Sequence, residues 1–222
     1  MSGPGPSPDG RGDAPHGADS DHPRLRPLDR AALAEALGEP SLRDGGERWS
    51  DLLAELQADP PRTTLLLRTL GWGLGLRELL WWGCLSAKLE EIVSGRRPPS
   101  RALLAAERWL REGEDEVRYE AYRAARDEGR ASPAVLMGYA AFAAGPSLAP
   151  ADAPPEPAPP GTPRGAAGGV LLAAATAPAL EATGSGFELV NMIGLDIARG
   201  GDGRAAARRA LAVAAPEATA PA

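Results

Sequence analysis

The sequence predicts an all-α protein, either an irregular multi-helix bundle or a stack of helical hairpins. Apolar residues recur at intervals of three and four through most of the chain, which is the period of a helix with one buried face. Start and stop signals such as Ser132-Pro133 and Gly113 separate these runs. No segment shows the alternation of β-branched and polar residues that is typical of a strand.

The first elements follow from composition and capping residues. Residues 1–27 are rich in Gly, Pro and Asp and lack a stripe of large apolar side chains, so we expect a disordered tail. The main helical domain is expected over residues 28–144. Its first short helix starts after Asp29 as N-cap and ends at Gly38, and a second helix covers about residues 47–58.

The most regular helix of the chain is predicted after Gly71-Trp72-Gly73-Leu74-Gly75, a segment whose alternate glycines favour a turn. The residues of its predicted buried stripe keep a period of about 3.5 residues. They are Leu76, Leu79, Trp82, Ser86, Leu89 and Val93. Gly95 is expected to end this helix, which we place at the centre of the fold.

The second half of the chain alternates helices with a proline-rich segment. Further helices of the main domain are predicted at about residues 101–111, 114–128 and 133–144. Residues 145–163 are too rich in proline for a helix or a central strand and should form an extended connector. Residues 164–201 are expected to form a C-terminal helical pair that packs on the main domain, and residues 202–222 a frayed helix or tail.

Composition excludes several chemistries. The chain has 222 residues, with 44 Ala, 27 Gly, 23 Pro and 23 Arg but a single Lys. Its only histidines, His16 and His22, lie in the predicted tail, which argues against a Ser-His-Asp triad and against a histidine metal site. The net charge of −6 argues against nucleic-acid binding, and no apolar run is long enough for membrane insertion. We therefore expect no cofactor and no metal.

Five residues stand out as candidates for interaction or for defining the core: Trp72, Trp81, Trp82, Cys84 and Asp196. Adjacent tryptophans on a helix point about 100° apart, so Trp82 is expected in the core, and Trp81 either packs there too or lies beside a groove where a partner binds. Cys84 lies in the middle of the helix with no histidine to activate it and is expected to be a buried structural thiol. Asp196 is expected to cap a neighbouring helix or to pair with an arginine.

Three short motifs occur in the order Arg77-Glu78-Leu79-Leu80-Trp81-Trp82-Gly83-Cys84, Gly145-Pro146-Ser147-Leu148-Ala149-Pro150 and Gly194-Leu195-Asp196-Ile197-Ala198-Arg199-Gly200. This order resembles an uncharacterised bacterial domain-of-unknown-function family of Ala-rich helical proteins, over about residues 45–201. The second motif departs from the Gly-Gly-Ser-Leu form of that family at Pro146. The resemblance implies no activity and no catalytic residue.

The sequence therefore favours a non-catalytic, cytoplasmic helical interaction or adaptor protein with a protein partner. No apolar segment follows the N-terminal methionine, so no secretion signal is expected. The family resemblance implies an accessory role in a bacterial secretion or signalling system. The alternative is an enzyme that uses only carboxylate and Arg groups. Such an enzyme requires an inter-helix pocket that contains at least two of Glu78, Glu107 and Asp196.

Overall fold

The computed structural model describes residues 21–129, 131–149 and 153–215. Within these ranges the chain forms eleven α-helices and no β-strand, which confirms the predicted all-α class. One isolated antiparallel bridge joins Leu25 to Leu74.

The first three helices form the N-terminal part of the fold. They are α1 (Arg30–Leu37), α2 (Trp49–Gln57) and α3 (Thr63–Gly73), with short 3-10 turns at Pro40–Leu42 and Pro60–Arg62. Asp29 caps α1, because its carboxylate accepts a hydrogen bond of 2.9 Å from the Ala32 N–H. Gly38 ends α1 with a φ of 65°, a conformation that glycine adopts without strain.

The remaining helices surround one central element, α4 (Leu76–Val93). They are α5 (Arg101–Glu112), α6 (Asp115–Glu128), α7 (Pro133–Ala143), α8 (Thr162–Ala175), α9 (Pro178–Glu181), α10 (Gly186–Ala198) and α11 (Arg204–Ala214). The central helix packs against α5, α7, α8, α9, α10 and α11. Its predicted buried residues Leu79, Trp82, Ser86 and Leu89 are each at most 2% exposed.

Small residues let the neighbouring helices approach α4 closely. A Cβ at Gly194 of α10 would lie 2.5 Å from the Trp82 ring, and a Cβ at Gly83 would lie 3.1 Å from the Met137 sulfur of α7. The Trp82 Nε1 also donates a hydrogen bond of 2.8 Å to the Val190 carbonyl oxygen of α10. The large tryptophan side chain thus fills the space that its Gly- and Ala-rich neighbours leave.

Residues 21–27, which were expected to belong to the tail, contact the helical part of the chain. Leu25 is 6% exposed and pairs with Leu74, and the Trp49 Nε1 donates a 2.7 Å hydrogen bond to the Arg26 carbonyl oxygen. One buried leucine and two backbone contacts hold residues 21–27 in place. This segment lacks the helical apolar periodicity by which it could have been predicted. Residues 1–20 lie outside the described residues.

Three other boundaries differ from the sequence expectation. Helix α3 continues through Gly71 and Gly73, so the chain turns at Leu74-Gly75 and not across all three glycines. The proline-rich connector ends at Gly161, because Thr162 and Pro163 begin α8. Residues 164–201, where two helices were expected, contain three, because the first expected helix is divided into α8 and α9.

The C-terminal helix α11, in the segment expected as a frayed helix or tail, packs on two neighbouring helices. Ala206 and Ala210 are fully buried, because their small side chains allow α11 to lie directly on α4 and α10. Gly203 precedes the helix with a φ of 76°. Residues 216–222, the end of the predicted tail, lie outside the described residues.

Candidate docking groove

The side of α4 that faces away from the core lines an open groove. Trp81, Leu85, Lys88 and Ile92 recur at intervals of three and four and therefore lie on one face of the helix. Trp81 is half-buried, whereas Ile92 is 36% exposed. Trp81 and Ile92 therefore leave apolar surface at the two ends of this face, with Leu85 and Lys88 between them.

Two helices form the walls of this groove. Glu107 and Arg111 of α5 lie on one side, and Arg204, Arg208 and Leu211 of α11 lie on the other. The cleft between them has a volume of about 340 Å³. An adjoining cleft of about 250 Å³ shares Trp81, Arg111 and Arg204 and adds Arg77, Leu110 and Asp202. We call the two clefts together the Trp81 groove.

The Trp81 ring is held in place at the end of the groove where α11 begins. Its Nε1 donates a hydrogen bond of 2.7 Å to the Asp202 carbonyl oxygen. The guanidinium carbon of Arg204 lies 5.3 Å from the ring centroid, within the range of a cation–π contact. Because the ring is already oriented, a partner that packs against it orders little additional side-chain motion.

The groove is positively charged although the whole chain has a net charge of −6. Its lining contains the cations Arg77, Lys88, Arg111, Arg204 and Arg208 against the carboxylates Glu107 and Asp202. Glu107 is already shared between Lys88 at 3.2 Å and Arg111 at 3.3 Å. Among the described residues no carboxylate forms an ion pair with Arg208. The rim therefore has unbalanced positive charge.

Cys84 lies beneath this surface and is 3% exposed. Burial raises the pKa of its thiol far above the usual range, and the nearby Glu107 carboxylate raises it further. A thiol that keeps its proton is a poor nucleophile and a poor metal ligand.

Trp72 lines a second cleft, of about 370 Å³, between α3 and α8. The Arg26 guanidinium carbon lies 4.6 Å from its ring centroid, and the Trp49 ring lies 6.3 Å away. Arg164 donates hydrogen bonds to the Gly71 and Leu74 carbonyl oxygens in this region, and its partial burial lowers its pKa. The cations of this cleft are therefore engaged with the protein's own backbone and rings.

Asp196 lies in a third cleft, of about 340 Å³, formed by α3, α10 and α11. Its carboxylate accepts a hydrogen bond of 2.9 Å from the Gly203 N–H at the start of α11 and lies 3.7 Å from the Arg209 guanidinium. Glu188 and Arg199 line the same cleft. Asp196 thus ties α10 to α11.

The three carboxylates considered for catalysis do not share one cleft. Glu107 lines the Trp81 groove and Asp196 lines the third cleft. Glu78 lies in the first turn of α4, next to Gly75. In the described ranges no group of three or more His, Cys, Asp or Glu is placed to hold a metal ion, and no helix is long and apolar enough to cross a membrane.

Comparison with known families adds one match. The model of DUF6931, a family of unknown function, matches residues 52–198. The chain belongs to the DUF6931 family. No curated protein and no solved structure matches it.

The DUF6931 match begins inside α2 and ends with α10, so helix α11 follows it. The floor of the Trp81 groove and its α5 wall lie within the matched region. The wall that carries Arg204 and Arg208 lies outside it. The groove is therefore formed by α4 and α5, which lie inside the matched region, and by α11, which lies outside it.

Inside the DUF6931 region, sequence reasoning missed a buried arginine. Arg118 of α6 is 0% exposed, donates a hydrogen bond of 2.8 Å to the Phe142 carbonyl oxygen and pairs with Asp115 at 2.6 Å. A Cβ at Gly145, the first residue of the second motif, would collide with its guanidinium. The glycine of that motif therefore makes room for Arg118. Arginine is usually exposed, and no sequence pattern indicates that Arg118 is buried.

A second missed cluster holds the start of α5. The Glu128 carboxylate accepts hydrogen bonds from the Ala102 N–H and the Ser100 hydroxyl, and Arg96 pairs with it at 3.0 Å. The Glu91 carboxylate accepts from the Ser100 N–H at 2.9 Å. These carboxylates satisfy donors at a helix N-terminus, which is a structural use.

Proposed function

We propose that this DUF6931 protein is a non-catalytic helical adaptor of the bacterial cytoplasm that binds a protein partner in the Trp81 groove. The groove combines a fixed tryptophan, an apolar floor and several arginines. Tryptophan and arginine are the residue types that most often dominate the binding energy of protein interfaces.

One observation carries this proposal: Trp81 is oriented by the Asp202 carbonyl and by Arg204, yet its ring borders an open cleft. A tryptophan that served only the core would lie as deep as Trp82, which is 0% exposed. Ile92, about three turns further along the same face of α4, is exposed as well, so the surface favours an apolar contact from outside the chain.

The test uses the full chain, tagged in its native host, and matched variants at two tryptophans. Trp81→Ala should abolish recovery of a specific partner. Trp72→Ala is the control, because Trp72 is also half-buried and also lies beneath an arginine, but in the cleft between α3 and α8. Recovery that depends on Trp72 and not on Trp81 would refute the groove as the binding surface.

The cellular role that we propose is an accessory one in a secretion or signalling system. An adaptor with no assembled catalytic group fits such a role. Deletion of the gene should then impair one transport or signalling process, and the Trp81→Ala variant should fail to restore it. Full restoration by that variant would count against the role.

A second candidate is an enzyme that uses the third cleft. The observation in its favour is the convergence of Asp196, Glu188, Arg199 and Arg209 on one cavity. Small carboxylate and phosphate compounds should then raise the melting temperature of the wild type and of Arg208→Ala, but not of Arg209→Ala. Equal behaviour of the two variants would exclude this site.

A further inference from the structure

We infer that the segment which occupies the Trp81 groove is an acidic, amphipathic α-helix of the partner protein. This inference rests on the proposed function and adds the chemistry of the bound segment. Three features of the groove support it: its length and shape, its apolar floor, and the position of its charges.

The groove has the length of a short helix. Its floor runs along α4 from Trp81 to Ile92, which at a rise of about 1.5 Å per residue is about 17 Å, or about three helical turns. α5 and α11 both pack on α4 and form walls on either side of this floor. Helices pack on one another by fitting side-chain ridges into grooves, so a third helix can pack along α4 between the two walls.

The floor is apolar apart from Lys88, whose ammonium pairs with Glu107 of the α5 wall. Leu85 and Leu89 of α4 line it between Trp81 and Ile92, and Leu211 adds to it from α11. A bound helix would meet this strip with residues spaced i, i+3 or i+4, and i+7, the pattern by which amphipathic helices dock in grooves. The partner segment should therefore carry about three large apolar residues at that spacing.

Apart from Lys88 on the floor, the charges of the larger of the two clefts lie on its walls. Arg111 belongs to the α5 wall, and Arg204 and Arg208 belong to the α11 wall. A helix seated between them places the residues that flank its apolar stripe against these cations. Acidic residues on both flanks would complement the rim, increase the association rate and disfavour basic partners.

A nucleic-acid strand is the competing occupant of a cationic groove. Strand binding uses successive aromatic rings on which bases stack. Among the described side chains that line the groove, Trp81 is the single aromatic one, and Arg204 lies over its ring. The leucines and isoleucine of the floor offer bases no stacking surface, so the lining favours a helix.

The experiment is a selection from a displayed library of random helix-forming peptides against the full wild-type chain. Selected sequences should be enriched in Asp and Glu and should share large apolar residues at helical spacing. Their affinity should fall as NaCl rises from about 50 mM to about 500 mM, because the rim charges are exposed to screening.

Charge reversal locates the binding site. Arg111→Glu with Arg208→Glu should weaken the selected peptides by about tenfold or more and should instead bind matched peptides in which every acid is replaced by Lys. The control is Arg123→Glu, an exposed position on α6 away from the groove, which should leave affinity unchanged. Circular dichroism verifies that all variants are folded.

The outcomes separate the inference from the proposed function. Selected peptides that are not acidic, that ignore the charge reversal, or that an oligonucleotide displaces more readily than the matched peptide would overturn the inference. If no peptide is enriched, the inference is also wrong. If the native partner is lost with Trp81→Ala but contacts the groove through a loop or a strand, the proposed function stands and the inference alone fails.

Discussion

Trp82→Ala is expected to bring the protein close to unfolding. The indole is 0% exposed, its Nε1 donates to the Val190 carbonyl oxygen at 2.8 Å, and its ring lies against Gly194. Truncation removes this packing and leaves a cavity between helices whose side chains are too small to fill it.

The magnitude follows from these contacts. Loss of a fully buried tryptophan costs about 3–5 kcal/mol, and the hydrogen bond adds about 1 kcal/mol. The sum of about 4–6 kcal/mol compares with a total stability of about 5–15 kcal/mol for a typical domain. Trp81→Ala should cost only about 1–2 kcal/mol, because its ring already borders solvent.

Urea unfolding of both variants, followed by circular dichroism, measures the difference. The midpoint for Trp82→Ala should fall by about 2 M relative to the wild type, and the midpoint for Trp81→Ala by less than half as much. The Trp81 variant thus also serves as the matched control. Equal and small shifts would refute the central position of Trp82 in the core.

Three further predictions follow from buried or capping groups. Cys84 should resist thiol reagents in the folded chain and react once urea unfolds it. Because burial raises its pKa, its contribution to stability is complete below the ordinary thiol pKa of about 8.5 and is lost above it. The free energy of unfolding of the wild type should therefore fall relative to Cys84→Ala between about pH 8 and pH 10; parallel curves would contradict this. A chain that starts at residue 28 should melt about 6–12 °C below one that starts at residue 21, since it lacks buried Leu25 and the hydrogen bond to Trp49; equal melting temperatures would place the domain boundary back at residue 27. Asp196→Ala should cost about 1 kcal/mol in chemical unfolding, whereas Asp196→Asn should retain part of the bond to Gly203; identical losses would argue against the capping role.

Much of the helical fold could be predicted because its signals are local. Ser132 accepts from the Val135 N–H and Pro133 begins α7, as the dipeptide predicts. The stripe of α4 is equally clear, since its buried residues repeat along one short segment. Caps and periodicity depend on neighbours a few residues away, so they can be read from a single sequence.

What could not be predicted depends on contacts between distant segments. Leu25 is buried because Leu74, far along the chain, pairs with it. Gly73 lies within α3, and its missing Cβ makes room for the Trp49 ring. No local pattern distinguishes such residues from those of a tail or a turn.

The groove could not be predicted from the sequence for the same reason. Its walls belong to α5 and α11, which are separated by almost 100 positions in the chain, so no sequence window shows that Arg111 and Arg208 lie on either side of α4. The sequence left two alternatives for Trp81, in the core or beside a groove, because its exposure depends on where α11 lies. Alanines at 206 and 210 fix that position by allowing close approach.

Site-specific photo-crosslinking tests the binding role of the groove most directly. A photoreactive phenylalanine analogue replaces Ile92 on the groove floor in the full chain, and in a matched chain it replaces Leu104 of α5, which is 51% exposed and does not line the groove. After irradiation in the native host, the Ile92 position should crosslink one identifiable protein through a defined peptide, and the Leu104 position should not. No adduct at Ile92, or the same adduct at both positions, would contradict a docking groove at Trp81.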